Sequence, residues 1–483
     1  MTVSEGDLQA IRTAIAALPA DVSTDAVGLH APRLDDLYAP ESHAAALDPV
    51  SPIVLGARGT GKSFWAGTLG NIELREAAAK AYPKLGLTRL DVQFGYTGLD
   101  GPEGIGRDRL NQCVPQDADL ARAKTFFWAT ILRAVHAVNG QKTHVRDLLA
   151  DAGDVDLRED ALSQASHSLQ AKDQLLLVIY DALDTMATSW QRRRLLTQAL
   201  LEVVWSMRAY RTIRVKLFLR PDQLDDDGLQ FVELPKLRTG AVRLTWSGTD
   251  LYGLLFARLS LGEARDAFAN LLAAHGLPSG SQEEILERRW SPGYSSSEQQ
   301  LLMTALCGPY MADGPHGYKK GKTYDWSLKH LADALDEVTP RSFLSLMIAA
   351  AKHGQRPAGR ALTPRGIHHG LRVASKTRVD QLHQEFPWIK GVLKPLAGLL
   401  LPKEETIVFQ VWKQANTLAE AMNDAQKHEY MAPVENISEG ERGLYRALEH
   451  IGVMMRRRDD RIDMPDLFRV AAKLLKKGGT APL

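Results

Sequence analysis

The sequence has few cysteines and no long apolar run, and each absence excludes a class of protein. Its two cysteines, Cys113 and Cys307, lie far apart and belong to no CxxC or Cys/His cluster. We therefore expect neither a disulfide framework nor a structural zinc site, and the usage fits a reducing compartment. No window approaches about 18 uninterrupted apolar residues, which predicts no membrane-spanning segment. The first twenty residues lack the basic stretch and apolar core of a signal peptide, so we expect a soluble cytoplasmic protein.

The sequence also has almost no net charge. Its 59 Lys and Arg residues face 58 Asp and Glu residues, which gives a formal net charge of +1. Any attraction to nucleic acid must therefore come from a local basic patch. An apolar fraction of 45% is ordinary for a folded protein, and 483 residues suffice for several domains.

The secondary-structure pattern divides the chain into four parts. Residues 1–50 form a predicted helical lead-in, and residues 51–250 alternate short β-branched runs with helix-period segments. This alternation predicts an α/β fold with a parallel sheet. After about residue 250 the strand signal fades, and residues 251–355 and 356–483 are predicted to be mostly helical. The predicted strands are Ile53–Leu55, Thr88–Phe94, Gln174–Tyr180, Ile213–Leu219 and Val242–Trp246.

A glycine-rich loop follows the first predicted strand. It matches the pattern G-x-x-x-x-G-K-[ST] in full, and a helix-competent segment comes after it. In such a loop, backbone N–H groups surround phosphate oxygens and the helix amino end adds a positive dipole. Lys62 would reach the β- and γ-phosphates of ATP, and Ser63 would bind Mg²⁺. The predicted nucleotide-binding residues are Gly56, Ala57, Arg58, Gly59, Thr60, Gly61, Lys62, Ser63 and Phe64.

Two carboxylates follow the third predicted strand. The run QLLLVIYDALD places Asp181 directly after the apolar residues and Asp184 three positions later. Asp181 would hold Mg²⁺ beside Ser63, and Asp184 would orient or polarise the attacking water. A core strand capped by an Asx turn has the same pattern. Position 182 is Ala, where many motor ATPases have a Glu base, so we expect slow hydrolysis.

Arginine ends the fourth predicted strand, in VKLFLRPDQ. Arg220 stands there before Pro221, where a cation could sense the γ-phosphate. An ordinary surface arginine near a helix start would show the same pattern.

The order of these features resembles the P-loop ATPases of the AAA+ and STAND group. The phosphate loop, the D-x-L-D strand, the arginine-ended strand and VRLTWSGTDLYGLLFARL at 242–259 are similar to the KAP- and NACHT-like branch and to ATPases of bacterial conflict systems. The resemblance covers residues 50–355. It implies an ATPase core at 51–250, a γ-phosphate sensor at Arg220 and a role in antiviral defence.

The same resemblance implies a helical lid at residues 251–355. Trp246 and Asp250-Leu251 would open this lid, and Arg341, after Pro340, would supply a further sensor. A solvated first-turn arginine would look the same. No arginine finger is fixed by the resemblance. The candidates Arg192, Arg193 and Arg194 stand in a charge run that is also typical of a solvated helix face.

The C-terminal third ends in a basic segment. A turn-like RDDR precedes PDLFRVAAKLL, which predicts a helix after a short hairpin and is similar to a winged-helix module. It would bind DNA or RNA, or it would be a protein-interaction domain with a basic rim. The candidate contact residues are Arg456, Arg457, Arg458, Arg461, Arg469, Lys473, Lys476 and Lys477.

Three functions fit these observations. The first is a Mg²⁺-dependent switch ATPase that acts on a protein partner or effector chain and forms a nucleotide-dependent homo-oligomer. The second is an ATPase stimulated by DNA or RNA, and the third is a scaffold that holds ATP or ADP without turnover.

Overall fold

The computed structural model describes residues 3–19, 32–101 and 104–482. The chain divides into two compact units: residues 22–245, called here the α/β unit, and residues 1–21 with 246–483, called the helical unit. The lead-in expected at 1–50 is thus shared between the units, and its residues 1, 2 and 20–31 lie outside the described residues. The boundary expected at 355 lies within the helical unit.

The strands and helices have the following bounds. The strands are β1 (Ile53–Leu55), β2 (Leu90–Phe94), β3 (Leu175–Tyr180), β4 (Ile213–Leu219), β5 (Val242–Arg243), β6 (Leu400–Leu401), β7 (Met455–Arg456), β8 (Ile462–Asp463) and β9 (Leu475–Lys476). The first helices are α1 (Glu5–Ala17), α2 (Ala44–Leu47), α3 (Lys62–Gly70), α4 (Ile72–Ala81), α5 (Arg107–Cys113), α6 (Leu120–Val138), α7 (Leu149–Gly153), α8 (Val155–Ala171), α9 (Trp190–Ser206), α10 (Pro221–Leu224) and α11 (Leu234–Thr239). The remaining helices are α12 (Gly248–Leu261), α13 (Arg265–Ala274), α14 (Gln282–Leu286), α15 (Ser296–Cys307), α16 (Thr323–Leu331), α17 (Pro340–Lys352), α18 (Pro364–Glu385), α19 (Ile389–Leu393), α20 (Glu405–Gln414), α21 (Thr417–His428), α22 (Gly440–His450) and α23 (Asp466–Arg469).

A five-stranded parallel sheet forms the centre of the α/β unit. Its strand order is β2-β3-β4-β1-β5, and all four pairings are parallel. Helices α6 and α9 pack together over one face, where Leu176, Val178 and Tyr180 join their core. The alternate residues Leu177 and Ile179 are also buried, so β3 is covered on both faces as its uncharged sequence predicts. The predicted α/β fold is confirmed, although the last strand is shorter than Val242–Trp246.

The segment before β1 is anchored by a buried lysine. Lys216 of β4 is fully buried, and its Nζ donates to the carbonyl oxygens of Ala46 at 2.8 Å, Asp48 at 2.9 Å and Ser51 at 2.7 Å. Three donors of one ammonium group thus meet three backbone acceptors. This contact explains how a lysine is accommodated inside a central strand.

A histidine links the same segment to α3. The indole of Trp65 donates to Nδ1 of His43 at 3.0 Å, so the proton of the neutral ring is on Nε2, which donates to the Thr245 carbonyl at 3.0 Å. Burial lowers the pKa of His43 to about 4. The neutral ring therefore connects three parts of the unit: the segment before β1, the residues after β5 and helix α3.

The helical unit includes the N-terminal helix. Helix α1 packs on α12, α13 and α17 through a stripe that contains Leu8, Ile11 and Ile15. Arg12 on the same stripe donates to the carbonyl oxygens of His353, Gly354 and Ala361 at 2.8–3.0 Å. Helix α17 also packs along α18, across the expected boundary at 355. Among the described residues, no helix is long and apolar enough to cross a membrane.

The C-terminal region contains the expected short hairpin. Strands β7 and β8 pair antiparallel, and Ile462 also bridges Lys403, beside the helices α20, α21 and α22. The mostly helical C-terminal region and its hairpin are confirmed, and the winged-helix assignment stays a prediction. The predicted helix over PDLFRVAAKLL is too long, because α23 ends at Arg469 and Lys473 has a φ of 59°. The chain then forms β9, which pairs with β6.

Candidate nucleotide site at the carboxyl edge of the sheet

The predicted site residues of the α/β unit come together because their strands are neighbours. The glycine-rich loop follows β1, Asp181 follows β3 and Arg220 follows β4, which lies between the other two. Carboxyl ends of parallel strands meet at one edge of a sheet. The structure therefore builds one site from three segments that are distant in sequence.

The loop conformation depends on its glycines, and Gly56 and Gly61 show why. Gly61 has a φ of 102° and forms the N-cap of α3, a conformation that L side chains rarely adopt. A Cβ on Gly56 would lie 2.4 Å from Oγ1 of Thr60 and 3.3 Å from Cγ of Lys62. Thr60 closes the loop through its hydroxyl, which donates to the Ala57 carbonyl at 2.9 Å. Phe64 has a buried side chain that packs edge-on against Trp65, so only its backbone N–H can take part in binding.

Lys62 lies over the loop. Its Nζ donates to the carbonyl oxygens of Gly56 at 2.6 Å and Ala57 at 3.2 Å. Burial acts to raise the pKa of both Asp181 and Asp184, and the charge of Lys62 opposes that effect at each carboxyl group. The ammonium group therefore lies against the loop carbonyls and is near enough to both carboxyl groups for its charge to act on them.

Asp181 is a buried carboxylate with one unsatisfied oxygen. Its exposed fraction is 1%, and within the described part of the chain Oδ2 has no hydrogen-bond partner. Burial raises the pKa of Asp181 above its ordinary value, and hydrogen bonding from the Ser63 hydroxyl opposes that shift only in part. A buried oxygen of this kind costs free energy unless a cation or donor meets it. Ser63 and Asp181 are thus the pair that fits Mg²⁺.

Mg²⁺ does not require more protein ligands than this pair. No group of three or more His, Cys, Asp or Glu side chains that could hold a metal occurs among the described residues. Mg²⁺ is usually bound through one or two carboxylates, waters and substrate phosphates, so it needs no such cage.

Ala182 directs the chain back toward the loop. It has a φ of 53°, in the left-handed region that is uncommon for alanine. Its carbonyl accepts from the Thr185 hydroxyl at 2.7 Å, and Thr185 Oγ1 in turn lies 2.9 Å from the Tyr96 hydroxyl. This strained turn stands where motor ATPases have their Glu, and it brings Asp184 to the site.

Asp184 is held by two arginines. Its Oδ2 lies 2.9 Å from Nη2 of Arg58 and 3.5 Å from Nη1 of Arg220. Burial acts to raise the pKa of Asp184, but the charges of Arg220 and Arg58 outweigh it, so the pKa lies below its ordinary value. A strongly ionised, paired carboxylate is a poor general base. The sequence could not indicate that Arg58 pairs with Asp184, because any residue type is allowed at its position in the loop pattern.

The run Arg192–Arg194 is not a simple solvated face. Arg192 donates to the carbonyl oxygens of Val114 and Pro115 at 2.6 and 2.7 Å, and Arg194 pairs with Asp226 at 2.7 Å. Arg193 donates to the Ala187 carbonyl at 2.9 Å. It is close enough to Arg220 and Asp184 for their charges to act on it. The first and third arginines are thus committed to packing within the unit.

The predicted lid residues and Arg341 lie in the helical unit. Ser247 and Asp250 form a capping box at the start of α12, and Leu251 is fully buried. Arg341 follows Pro340 in the first turn of α17 and is half-buried. Its sensor role stays a prediction.

Most of the C-terminal cations are paired. Arg456 pairs with Glu405, Arg461 with Asp459, and both Arg457 and Lys476 with Asp463. Arg469 is fully buried and binds Asp466 at 2.6 Å, so the prediction that it contacts nucleic acid is wrong. In the described chain, the candidate cations without an acidic partner are Arg458, Lys473 and Lys477.

The α/β unit has the P-loop nucleoside-triphosphatase fold, with a glycine-rich loop between β1 and α3 and a buried carboxylate after a neighbouring strand. No family model and no curated protein matches this chain. Among solved structures it is similar to the ORC2 protein of Aeropyrum pernix in its ADPNP–ADP complexes, with a TM-score of 0.32 and 14% identity over 91% of this chain and 93% of that chain.

Proposed function

We propose that the α/β unit binds Mg-ATP and that the protein hydrolyses it slowly, as a switch ATPase of the AAA+ and STAND kind. The observation that carries this proposal is the pairing of Ser63 with the buried Asp181, whose Oδ2 lacks a hydrogen-bond partner in the described structure. Lys62, the loop N–H groups and the start of α3 would bind the phosphates. Bound Mg²⁺ would neutralise charge on the phosphate oxygens.

The switch would act through differential binding of the γ-phosphate. ATP can drive a conformational change only if it binds one conformation more strongly than the other. We assign that difference to Lys62, Arg220 and Arg341. By the resemblance to STAND ATPases, the change would assemble or regulate a multi-protein complex in the cytoplasm, such as a bacterial defence complex, with nucleotide-dependent self-association.

A nucleotide-holding scaffold is the second candidate. Position 182 carries no carboxylate, and Asp184 is paired with Arg58 and Arg220, so neither supplies a free base. Such a protein would keep nucleotide through purification and release negligible phosphate.

Phosphate release from Mg-ATP by the purified protein tests the proposal. We expect slow release that stops when EDTA removes Mg²⁺. Retained nucleotide without release would favour the scaffold, and an absence of any nucleotide binding would refute both functions.

We expect Asp181→Asn to abolish Mg²⁺-dependent turnover without unfolding the protein. Loss of the metal carboxylate should reduce phosphate release by about 100-fold or more. Burial disfavours the charged form of Asp181, so the neutral amide should leave thermal stability equal or higher. Asp117→Asn, at an exposed aspartate of the same unit, is the matched control. Full Mg²⁺-dependent release by Asp181→Asn would contradict the metal assignment.

We expect DNA and RNA to leave the rate of phosphate release within about twofold. The ion pairs of the basic segment leave only three candidate cations to meet phosphates, and each contact contributes to a salt-dependent affinity. The measurement compares release with and without single-stranded and duplex polynucleotides at low salt. Strong stimulation that is lost in an Arg458→Ala, Lys473→Ala, Lys477→Ala variant would instead support the nucleic-acid-stimulated ATPase.

A further inference from the structure

Asp184 is the point where the cations of the candidate site converge. Arg58 of the loop and Arg220 of β4 both approach its Oδ2, at 2.9 and 3.5 Å, and the charge of Lys62 also acts on it. Its side chain is 20% exposed, and that of Arg220 is 4% exposed. Ion pairs that are shielded from water in this way are much stronger than pairs on an open surface.

Asp222 fixes the orientation of Arg220. Its two carboxylate oxygens accept from Nε at 3.0 Å and from Nη2 at 2.7 Å of that guanidinium. This bidentate grip occupies one side of the planar group and leaves Nη1 directed to Asp184. Asp222 thus orients the guanidinium group of Arg220, and Asp184 pairs with its opposite side.

The Arg58 pair is different, because Arg58 is on the loop that would surround the phosphates. Its side chain is 30% exposed, and it forms an ion pair with Asp184. A terminal phosphate bound at the loop would bring anionic oxygens to the same guanidinium groups. The carboxylate and the phosphate would then compete for the same cations.

We propose that Asp184 is a positioning residue that competes with the terminal phosphate for Arg58 and Arg220, and that it sets how strongly the site prefers nucleoside triphosphate over diphosphate. The inference rests on the proposed function. A triphosphate must displace part of the ion pairing of Asp184, whereas a diphosphate lacks the group that competes. Asp184 therefore restrains triphosphate binding instead of activating water.

The test measures two affinities for each variant: one for a non-hydrolysable ATP analogue and one for ADP, both with Mg²⁺. We expect Asp184→Asn to tighten binding of the analogue by about tenfold and to change ADP binding by less than about twofold. The ratio of the two affinities, measured on one preparation, does not change if part of the protein is unfolded. Asp226→Asn is the matched control, because Asp226 is also buried and pairs with an arginine of the same unit, Arg194.

A double-mutant cycle tests whether Asp184 acts on triphosphate binding through Arg58. Arg58→Gln should weaken analogue binding more in the Asp184→Asn background than in the natural chain, because the carboxylate of Asp184 no longer competes for Arg58 there. Strictly additive effects would overturn that assignment.

Two further outcomes are decisive. An unchanged affinity ratio in Asp184→Asn, together with a large loss of turnover, would overturn the inference and restore Asp184 as the residue that activates water. An absence of nucleotide binding by the natural chain would refute the proposed function itself.

Discussion

Lys62→Ala is expected to weaken Mg-ATP binding by about 100- to 1,000-fold. Lys62 is the ammonium group at the loop, where its Nζ lies against the carbonyl oxygens of Gly56 and Ala57. Hydrogen bonds to charged groups contribute about 1.5–3 kcal/mol each. If Lys62 bonds two phosphates, the alanine variant loses both bonds. At about 1.4 kcal/mol per factor of ten, the lower end of the sum of two such bonds, about 3–4 kcal/mol, corresponds to about 100- to 1,000-fold.

Titration of the purified variant with a fluorescent ATP analogue measures this loss. Lys84→Ala, at an exposed lysine of the same unit, should bind like the natural chain. Thermal unfolding of Lys62→Ala should remain close to that of the natural chain, because the side chain is only half-buried. Unchanged affinity in a folded Lys62→Ala protein would refute the nucleotide site at this loop.

Lys216→Met is expected to destabilise the α/β unit by about 2–4 kcal/mol. Methionine fills a similar volume but leaves the carbonyl oxygens of Ala46, Asp48 and Ser51 without their ammonium donor. Each buried acceptor that loses its partner costs about 1–3 kcal/mol, and removal of a buried ammonium group offsets part of the sum over the three acceptors. The segment before β1 should loosen first, since these three bonds attach it to β4. Urea unfolding of Lys216→Met measures the effect, with Lys142→Met at an exposed site as the control.

The same lysine predicts a pH dependence of stability. Burial lowers the pKa of Lys216 to about 7, from about 10.4 in an unfolded chain. Between these values the unfolded chain binds one more proton than the folded chain, so the free energy of unfolding should rise with pH from about 7 to 10. Below about pH 7 both states are protonated and the contribution is constant. Lys216→Met should lack this rise, and an identical pH profile in both proteins would contradict the assignment.

Local signals in the sequence predicted the sheet and the phosphate loop. The strands Ile53–Leu55 and Ile213–Leu219 have the expected bounds, and β3 begins one residue later than expected. An apolar run flanked by turn residues is a local property, and so is the glycine pattern of a phosphate-binding loop. The short β5 was overestimated because a strand end depends on its neighbour, and only Val54 and Leu55 of β1 pair with it.

Ion pairing and packing between distant segments were decided by the tertiary structure. The sequence by itself determined the loop, Ser63, Asp181 and the arginine at the end of β4. It could not show that Arg58 and Arg220 share Asp184, because they come from two loops that follow different strands. Nor could it show that Asp463 and Glu405 pair with cations of the basic ending, or that α1 belongs with the C-terminal helices. A charge or an apolar stripe is visible in one segment, but its partner is chosen only when the chain folds and brings the second segment within reach.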